Sequence, residues 1–331
     1  MRRQMRQGRW AAGLLMVLAL VAGACGSDDP AIDTGDNGNT PTTESLAPPE
    51  FEAGTTMATI QAEGKLVVGT KFDQPGFGLR NPTTGEIEGF DVQIAQLVAQ
   101  NIFGGTKEEA AQKIEFKEAV SKNREPFIQN GDVDIVVATY TINDTRKQIV
   151  DFAGPYFVAE QDIMVKADNT DIKSVDDLND QKVCTVKGST SEKNLKAKAP
   201  KAEVTLFDTY SQCAEALTDG RVTAVTTDNT ILAGLVQASG DAFKLLKAPF
   251  SEEPYGIGLK KDDAAFRNFI NDILEETFES GEWEEAFTST LGAIGLETPE
   301  PPSVDRYGAA GAEAESTTTT AADKSSGSSA G

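Results

Sequence analysis

The chain has 331 residues, with 30 Lys+Arg against 52 Asp+Glu, a formal charge of −22, and no histidine. So acidic a surface excludes nucleic acid as a partner, because phosphate binding needs a basic face. Without histidine, His-based acid–base catalysis, Ser-His triads and His metal sites are impossible, which weighs against most hydrolases.

At the amino terminus, Arg2, Arg3, Arg6 and Arg9 precede an apolar run from Ala11 to Ala22. That run is shorter than the roughly 20 residues a membrane-spanning helix needs, so residues 1–24 read as a cleaved export signal. Small residues Ala22, Gly23 and Ala24 lead into Cys25. This resembles a lipoprotein lipobox with Cys25 as the lipidated residue, although the usual aliphatic three places before the cysteine is Ala22; plain secretion is the alternative. Cleavage removes four arginines and no acids, so Lys+Arg falls from 30 to 26 against 52 acids, a net −26. Cys184 and Cys213 then remain as an even pair in an exported protein, which favours a disulfide over two free thiols.

Residues 25–56, rich in Asp, Thr, Pro, Gly and Asn, read as a flexible tether. A strand at Leu66–Thr70 follows, then a Gly-rich loop through Asp73, Pro75, Gly76 and Gly78. An amphipathic helix after Gly89 carries Val92, Ala95, Val98 and Ile102. A helical segment Arg124–Gln129 stops at Asn130-Gly131.

The stretch from Asp132 to Arg146 carries the most chemistry. Val133, Ile135, Val136 and Val137 form a continuous apolar run, as in a strand buried on both faces of a parallel sheet. Thr139, Thr141 and Arg146 come next, at the place where open α/β sheets bind ligands. Two hydroxyls and a guanidinium fork suit a carboxylate. An ordinary strand followed by a polar turn would read the same way.

Further strands are expected at Val183–Val186, Val204–Phe207, Ala224–Thr227 and Gly256–Leu259. Helices are expected after Gly188-Ser189-Thr190-Ser191, over Ser211–Leu217 and from Ala264 to about Ser280. Such alternation implies βαβ units and mainly parallel sheets. Residues 301–331, with Pro301, Pro302 and a Thr317–Thr320 run, read as a disordered low-complexity tail.

In this order the segments Gly89–Ala99 (GFDVQIAQLVA), Gly188–Ser191 (GSTS), Asp219–Asp228 (DGRVTAVTTD) and Tyr255–Lys261 (YGIGLKK) resemble the amino-acid family of bacterial solute-binding proteins, family 3. These are the receptors of ABC importers. Gln93 departs from the signature, where an acid is usual. With Gly69–Gly76 (GTKFDQPG) and ATYTINDTR, the likeness runs towards the actinobacterial glutamate-binding lipoproteins and spans residues 60 to about 297. The resemblance implies an α/β periplasmic-binding-protein type II fold, two lobes with mainly parallel sheets joined by a two-strand hinge. Lobe 1 would comprise residues 57–156 and 257–300, and lobe 2 residues 157–256.

The resemblance also implies a site. Thr139, Thr141 and Arg146 would hold a ligand α-carboxylate, joined by Thr190 from lobe 2, whose alternative is a plain helix cap. Asp228 would pair with the α-ammonium; its alternative is a cap for the helix that follows. Lys71 and Arg124 match basic positions that contact a side-chain carboxylate, with surface solvation as the alternative for each. Arg80 is a weaker third candidate, and Phe72 or Phe77 a candidate apolar wall, Phe77 fitting the core better. The implied protein is a monomeric receptor, lipid-anchored on the extracytoplasmic face of the cell membrane. It would bind glutamate, need no cofactor, and deliver its ligand to a permease and ATPase. Aspartate, glutamine and asparagine are alternative ligands, and a dehydratase-type enzyme on the same fold is a remoter reading.

Overall fold

A computed structural model describes residues 45–307. The export signal, the lipidation residue Cys25, the tether up to residue 44 and the tail beyond residue 307 lie outside the described residues.

In chain order the first lobe contributes α1 (Thr56–Glu63), β1 (Leu66–Thr70), β2 (Asp73–Gln74), β3 (Gly78–Arg80), β4 (Ile87–Glu88), α2 (Phe90–Phe103), α3 (Lys107–Ala111), β5 (Ile114–Glu118), α4 (Arg124–Asn130), β6 (Ile135–Val136), α5 (Asp144–Lys147) and β7 (Asp151–Ala159). The second lobe follows with β8 (Gln161–Lys166), β9 (Lys182–Val186), α6 (Thr190–Lys198), β10 (Glu203–Phe207), α7 (Tyr210–Thr218), β11 (Ala224–Asp228), α8 (Asn229–Ala238) and β12 (Phe243–Leu245). The chain then returns through β13 (Glu253–Leu259) to α9 (Ala264–Ser280) and α10 (Glu282–Thr290).

Two five-stranded sheets result, ordered β5-β1-β6-β13-β7 and β10-β9-β11-β8-β12. β5, β1 and β6 pair in parallel, as do β10, β9 and β11. β13 runs against both its neighbours, and so does β8, which leaves each sheet with one reversed strand. The expectation of two mainly parallel sheets therefore holds. A small antiparallel sheet, β2-β3-β4, is appended to lobe 1.

Local chemistry explains the element ends. Gly131 adopts φ 71° and closes α4 by donating to Ile128 O and Phe127 O, the left-handed stop that Asn130-Gly131 signalled. The apolar face of α2 (Phe90, Ile94, Leu97, Val98) is fully buried. It joins Tyr156, Phe157, Trp283 and Phe287 in one aromatic cluster beneath the hinge, where Trp283 Nε1 donates to Tyr156 O at 2.8 Å. Phe77 packs edge-on against Phe90, Phe157 and Tyr255, so it belongs to that core.

Four expected boundaries shift. The hinge strands β7 and β13 pair from Glu253↔Ala159 to Leu259↔Asp151. Both therefore belong to the first sheet over their whole length, and the chain changes sheet at Glu160 and near Glu252, not at 156/157 and 256/257. The tether ends earlier than residue 56: Leu46 and Gly105 exchange backbone hydrogen bonds, and Phe51 meets Phe269 edge-on at 5.3 Å. The tail starts later than residue 301. Asp305 N donates to Gly154 O, Arg306 reaches Asp272 and Glu275, and Phe152 N donates to the Tyr307 hydroxyl. Cys184 on β9 and Cys213 on α7 lie with Cα atoms 5.5 Å apart and their sulfurs joined.

Candidate functional site

The seven main candidate residues lie at the carboxyl ends of strands in the parallel triplets or in the segments that follow those ends. Lys71 follows β1, Arg124 follows β5, and Thr139, Thr141 and Arg146 follow β6. Thr190 follows β9 and Asp228 ends β11. Strand twist and crossover handedness converge these ends on the cleft between lobes. The lobes meet there: Thr141 Oγ1 lies 3.3 Å from Thr190 Oγ1, and Arg146 Nη2 donates to Gly188 O at 3.3 Å.

Arg146 is buried and oriented on three sides. Its Nε donates to Glu125 Oε1 at 3.1 Å and its Nη1 to Thr141 O at 2.7 Å. A guanidinium has five N–H groups, so this leaves one hydrogen on each terminal nitrogen, the pair that can grip a carboxylate. Tyr140 lies beneath both Arg146 and Arg124, with guanidinium-to-ring distances of 4.8 and 4.3 Å. The side chain of Ser189, not Thr190, caps α6 by accepting from Glu192 N. Thr190 is thus free to face Thr141 across the cleft.

Asp228 sits at the N-cap position of α8, yet its side chain makes no cap hydrogen bond. Oδ2 accepts from the Tyr255 hydroxyl at 2.5 Å, while Oδ1 has no hydrogen-bond partner among the described residues. Burial, and then the nearby charge of Glu253, push its carboxyl up to about 7. An unpartnered buried carboxylate oxygen is costly and calls for a cation.

Lys71 and Arg124 are 3% and 2% exposed, which rules out surface solvation for both. Lys71 Nζ donates to Ser121 Oγ at 2.8 Å. Arg124 donates from Nε to Ser121 O and from Nη1 to Ala138 O and Thr139 O. Among the described residues neither cation has an acid within ion-pair distance. Burial, and then the charge of Arg124, lower the Lys71 amine to about 7, and burial also lowers Arg124. Thr139 departs from its expected part. Its hydroxyl is taken up by Ala138 O and Gln74 Oε1, at 2.8 and 3.1 Å, so it shapes the loop beneath the other groups. Arg80 is exposed and stacks on Phe72, with its guanidinium 4.4 Å from the ring centre.

The chain's relatives place this geometry in context. The family model for bacterial extracellular solute-binding proteins, family 3, matches residues 66–292. The chain belongs to this family. Over 233 residues it is 44% identical to the ABC transporter glutamine-binding protein GlnH of Bacillus subtilis (strain 168), covering 70% of this chain and 83% of that one. Over 242 residues it is 41% identical to the glutamate-binding protein GluB of Corynebacterium glutamicum, covering 71% and 81%. Among solved structures it is similar to an ancestral arginine-binding protein bound to glutamine. There the TM-score is 0.63 and the identity 37%, over 69% of this chain and 98% of that one.

Around the candidate set, this family 3 chain has supporting residues that the sequence reading did not single out. Asp91, fully buried on α2, accepts from Thr139 N at 2.9 Å and from the Tyr156 hydroxyl at 2.6 Å. It thereby ties the Thr139 loop to hinge strand β7 and holds Thr139 at φ 44°, a conformation rare for a β-branched residue. Burial raises its carboxyl to about 6. Glu253 accepts from Thr141 Oγ1 at 2.7 Å, Asn194 Nδ2 at 2.9 Å and Ser251 Oγ at 2.7 Å, joining hinge strand β13 to both lobes. Gln74, 1% exposed, has its amide nitrogen unpartnered beside Thr139. The acid in the Gly89–Ala99 signature was the one available signal for Asp91.

Proposed function

We propose that the protein is the extracytoplasmic receptor of an ABC importer and that its ligand is L-glutamate. The observation that carries this reading is the charge arrangement of one cleft. Asp228 offers an open carboxylate oxygen suited to an α-ammonium. Arg146 offers a two-hydrogen fork, with the Thr190 hydroxyl beside it, suited to an α-carboxylate; the Thr141 hydroxyl, which donates to Glu253, would have to turn from that acid to join them. Lys71 and Arg124 add two buried cations without an ion-paired acid among the described residues, which favours a second anionic group on the ligand. The relatives named for glutamine and glutamate agree on an amino acid of this length, and the two cations favour the acid over the amide.

The receptor is a binding protein and leaves its ligand chemically unchanged. It acts as a monomer, is anchored through lipid on Cys25, and carries a Cys184–Cys213 disulfide. Ligand contacts from both lobes favour the closed state, the form offered to the permease and its ATPase.

Calorimetry with purified mature protein tests the ligand. Each good charge-assisted contact contributes about 1.5–3 kcal/mol, so glutamate should bind at least about tenfold more tightly than glutamine. Lys71→Met and Arg124→Met should each weaken glutamate binding and narrow the gap to glutamine. Equal affinity for the two ligands in the wild-type protein would remove glutamate as the preferred ligand. Arg146→Ala should abolish binding of every α-amino acid while the fold persists by circular dichroism; a folded variant with undiminished affinity would displace the α-carboxylate site.

A further inference from the structure

Besides the candidate ligand residues, the lobes touch at a second place. β2 belongs to the small sheet of lobe 1, but Asp73 reaches across to lobe 2. Its Oδ2 accepts from the backbone N–H groups of Tyr210 and Ser211, at 2.8 and 3.3 Å, the first two residues of α7. A helix start leaves its first N–H groups without internal partners and carries partial positive charge, so a carboxylate is well placed there. The cap within lobe 2 is already supplied by Thr209, whose hydroxyl accepts from Gln212 N in a capping box. Asp73 satisfies different donors, and does so only when the lobes are together.

Two residues on, the carbonyl of Pro75 presses against α8. A Cβ built on Gly234 would lie 2.4 Å from Pro75 O, far inside contact distance and against backbone. Gly234 has an ordinary helical backbone in the middle of α8, where glycine disfavours the helix relative to alanine. Helix stability alone gives no reason for it. The passage of the lobe 1 turn does.

We propose that the Asp73–Pro75 turn of lobe 1 and its seat on α7 and α8 form a closure contact that sets ligand affinity without touching the ligand, with Asp73 and Gly234 as positioning residues. A cross-cleft ion pair outside the site, Lys122–Asp208, is largely exposed and so contributes little. The seat adds stability to the closed state whatever the ligand, so it scales all affinities alike. Residues that read the ligand side chain change the ratio between ligands instead.

This proposal rests on the amino-acid reading only for its choice of probe. The test uses Gly234→Ala and Asp73→Ala in the full mature chain. Binding of glutamate and of glutamine is measured by calorimetry, and the lobe-to-lobe distance in ligand-free protein by a pair of spin labels, one on each lobe. Gly234→Ala should fold, lose roughly tenfold in affinity for both amino acids, keep their affinity ratio, and shift the ligand-free distances towards longer values. Asp73→Ala should weaken glutamate binding in the same direction and lengthen the same distances; Asp73 also lies near the Lys71 charge, so the ratio is read from Gly234→Ala. Wild-type affinity and distances in Gly234→Ala, or a changed ratio, would overturn the proposal. Should the wild-type protein bind neither amino acid, the functional reading fails, and the ligand-free distances alone decide the seat. If Gly234→Ala does not fold, unchanged distances in Asp73→Ala overturn it.

Discussion

Asp228 shows how function can oppose stability at a single residue. Its folded-state carboxyl is raised from 3.8 to about 7, so over that interval the folded protein holds a proton that the unfolded chain has released. Stability of the ligand-free protein therefore falls as pH rises through roughly 4 to 7, and the deficit persists above 7. On the proposed reading a ligand ammonium offsets it, so affinity should decline as pH drops below about 7 and a proton competes for the same oxygen. Asp228→Asn keeps an acceptor for the Tyr255 hydroxyl and removes the charge. The ligand-free variant should be more stable than wild type at pH 8, with the gap closing below about pH 4, and should not bind amino acids. Urea unfolding at the two pH values checks this. A variant less stable than wild type at pH 8 would mean that the carboxylate serves the fold. The seven candidate positions could be singled out because each lies in a short motif at or after the end of a strand, and the fold brings these strand ends to one side of each sheet. Asp91, Glu253 and Gln74 could not be, because the partners that tie them to the site, Thr139 and Thr141, lie 48 to 112 residues away in sequence and meet them only through the tertiary fold of lobe 1.

At the scale of elements, periodicity and stop signals located β1, α2, α4, β9, β11 and α9, whose patterns are local. They did not reveal β7. Gly154-Pro155 reads as a strand breaker, but β7 lies at the sheet edge, where proline gives up no ladder donor. The register slips between Tyr255 and Ile257 opposite Pro155, and Gly154 N is taken by the Asn271 side chain, so the interruption is absorbed. Lobe 2 gains its tie between elements from Cys184 and Cys213, which link the strand entering the Thr190 loop to α7, whose first N–H groups meet Asp73. For a sequence separation of 29, the chain-entropy model gives about 3–4 kcal/mol. Reduction, or Cys184→Ala with Cys213→Ala, should lower the urea-unfolding free energy by about that amount. Two alkylatable thiols in unreduced, denatured mature protein would show that the bond does not form.

For the whole molecule, composition misplaced both ends of the globular body, since a low-complexity average over thirty residues hides a few that dock. The carboxyl-terminal case is the sharper. Between Pro301 and Tyr307 the chain crosses lobe 1 as a strap. Its backbone donates to Gly154 of hinge strand β7, Arg306 forks onto Asp272 and Glu275 of α9, and the Tyr307 ring lies between Lys147 and Arg267. The Tyr307 hydroxyl also accepts from Phe152 N at 2.7 Å, so removing it would leave a half-buried backbone donor without its partner. The Arg306 pairs are exposed and count for less. Every one of these contacts is to a lobe 1 residue, and none is to a candidate ligand residue or to lobe 2. Stability and affinity should therefore separate. A chain ending at Glu300 should unfold at a temperature several degrees lower than one ending at Tyr307, while its affinity for glutamate stays within about twofold. Differential scanning calorimetry and titration of the two proteins side by side decide the matter. An unchanged unfolding temperature would show that the strap carries no weight in the fold. A large loss of affinity would show that it acts on the hinge, through Gly154, as well as on lobe 1.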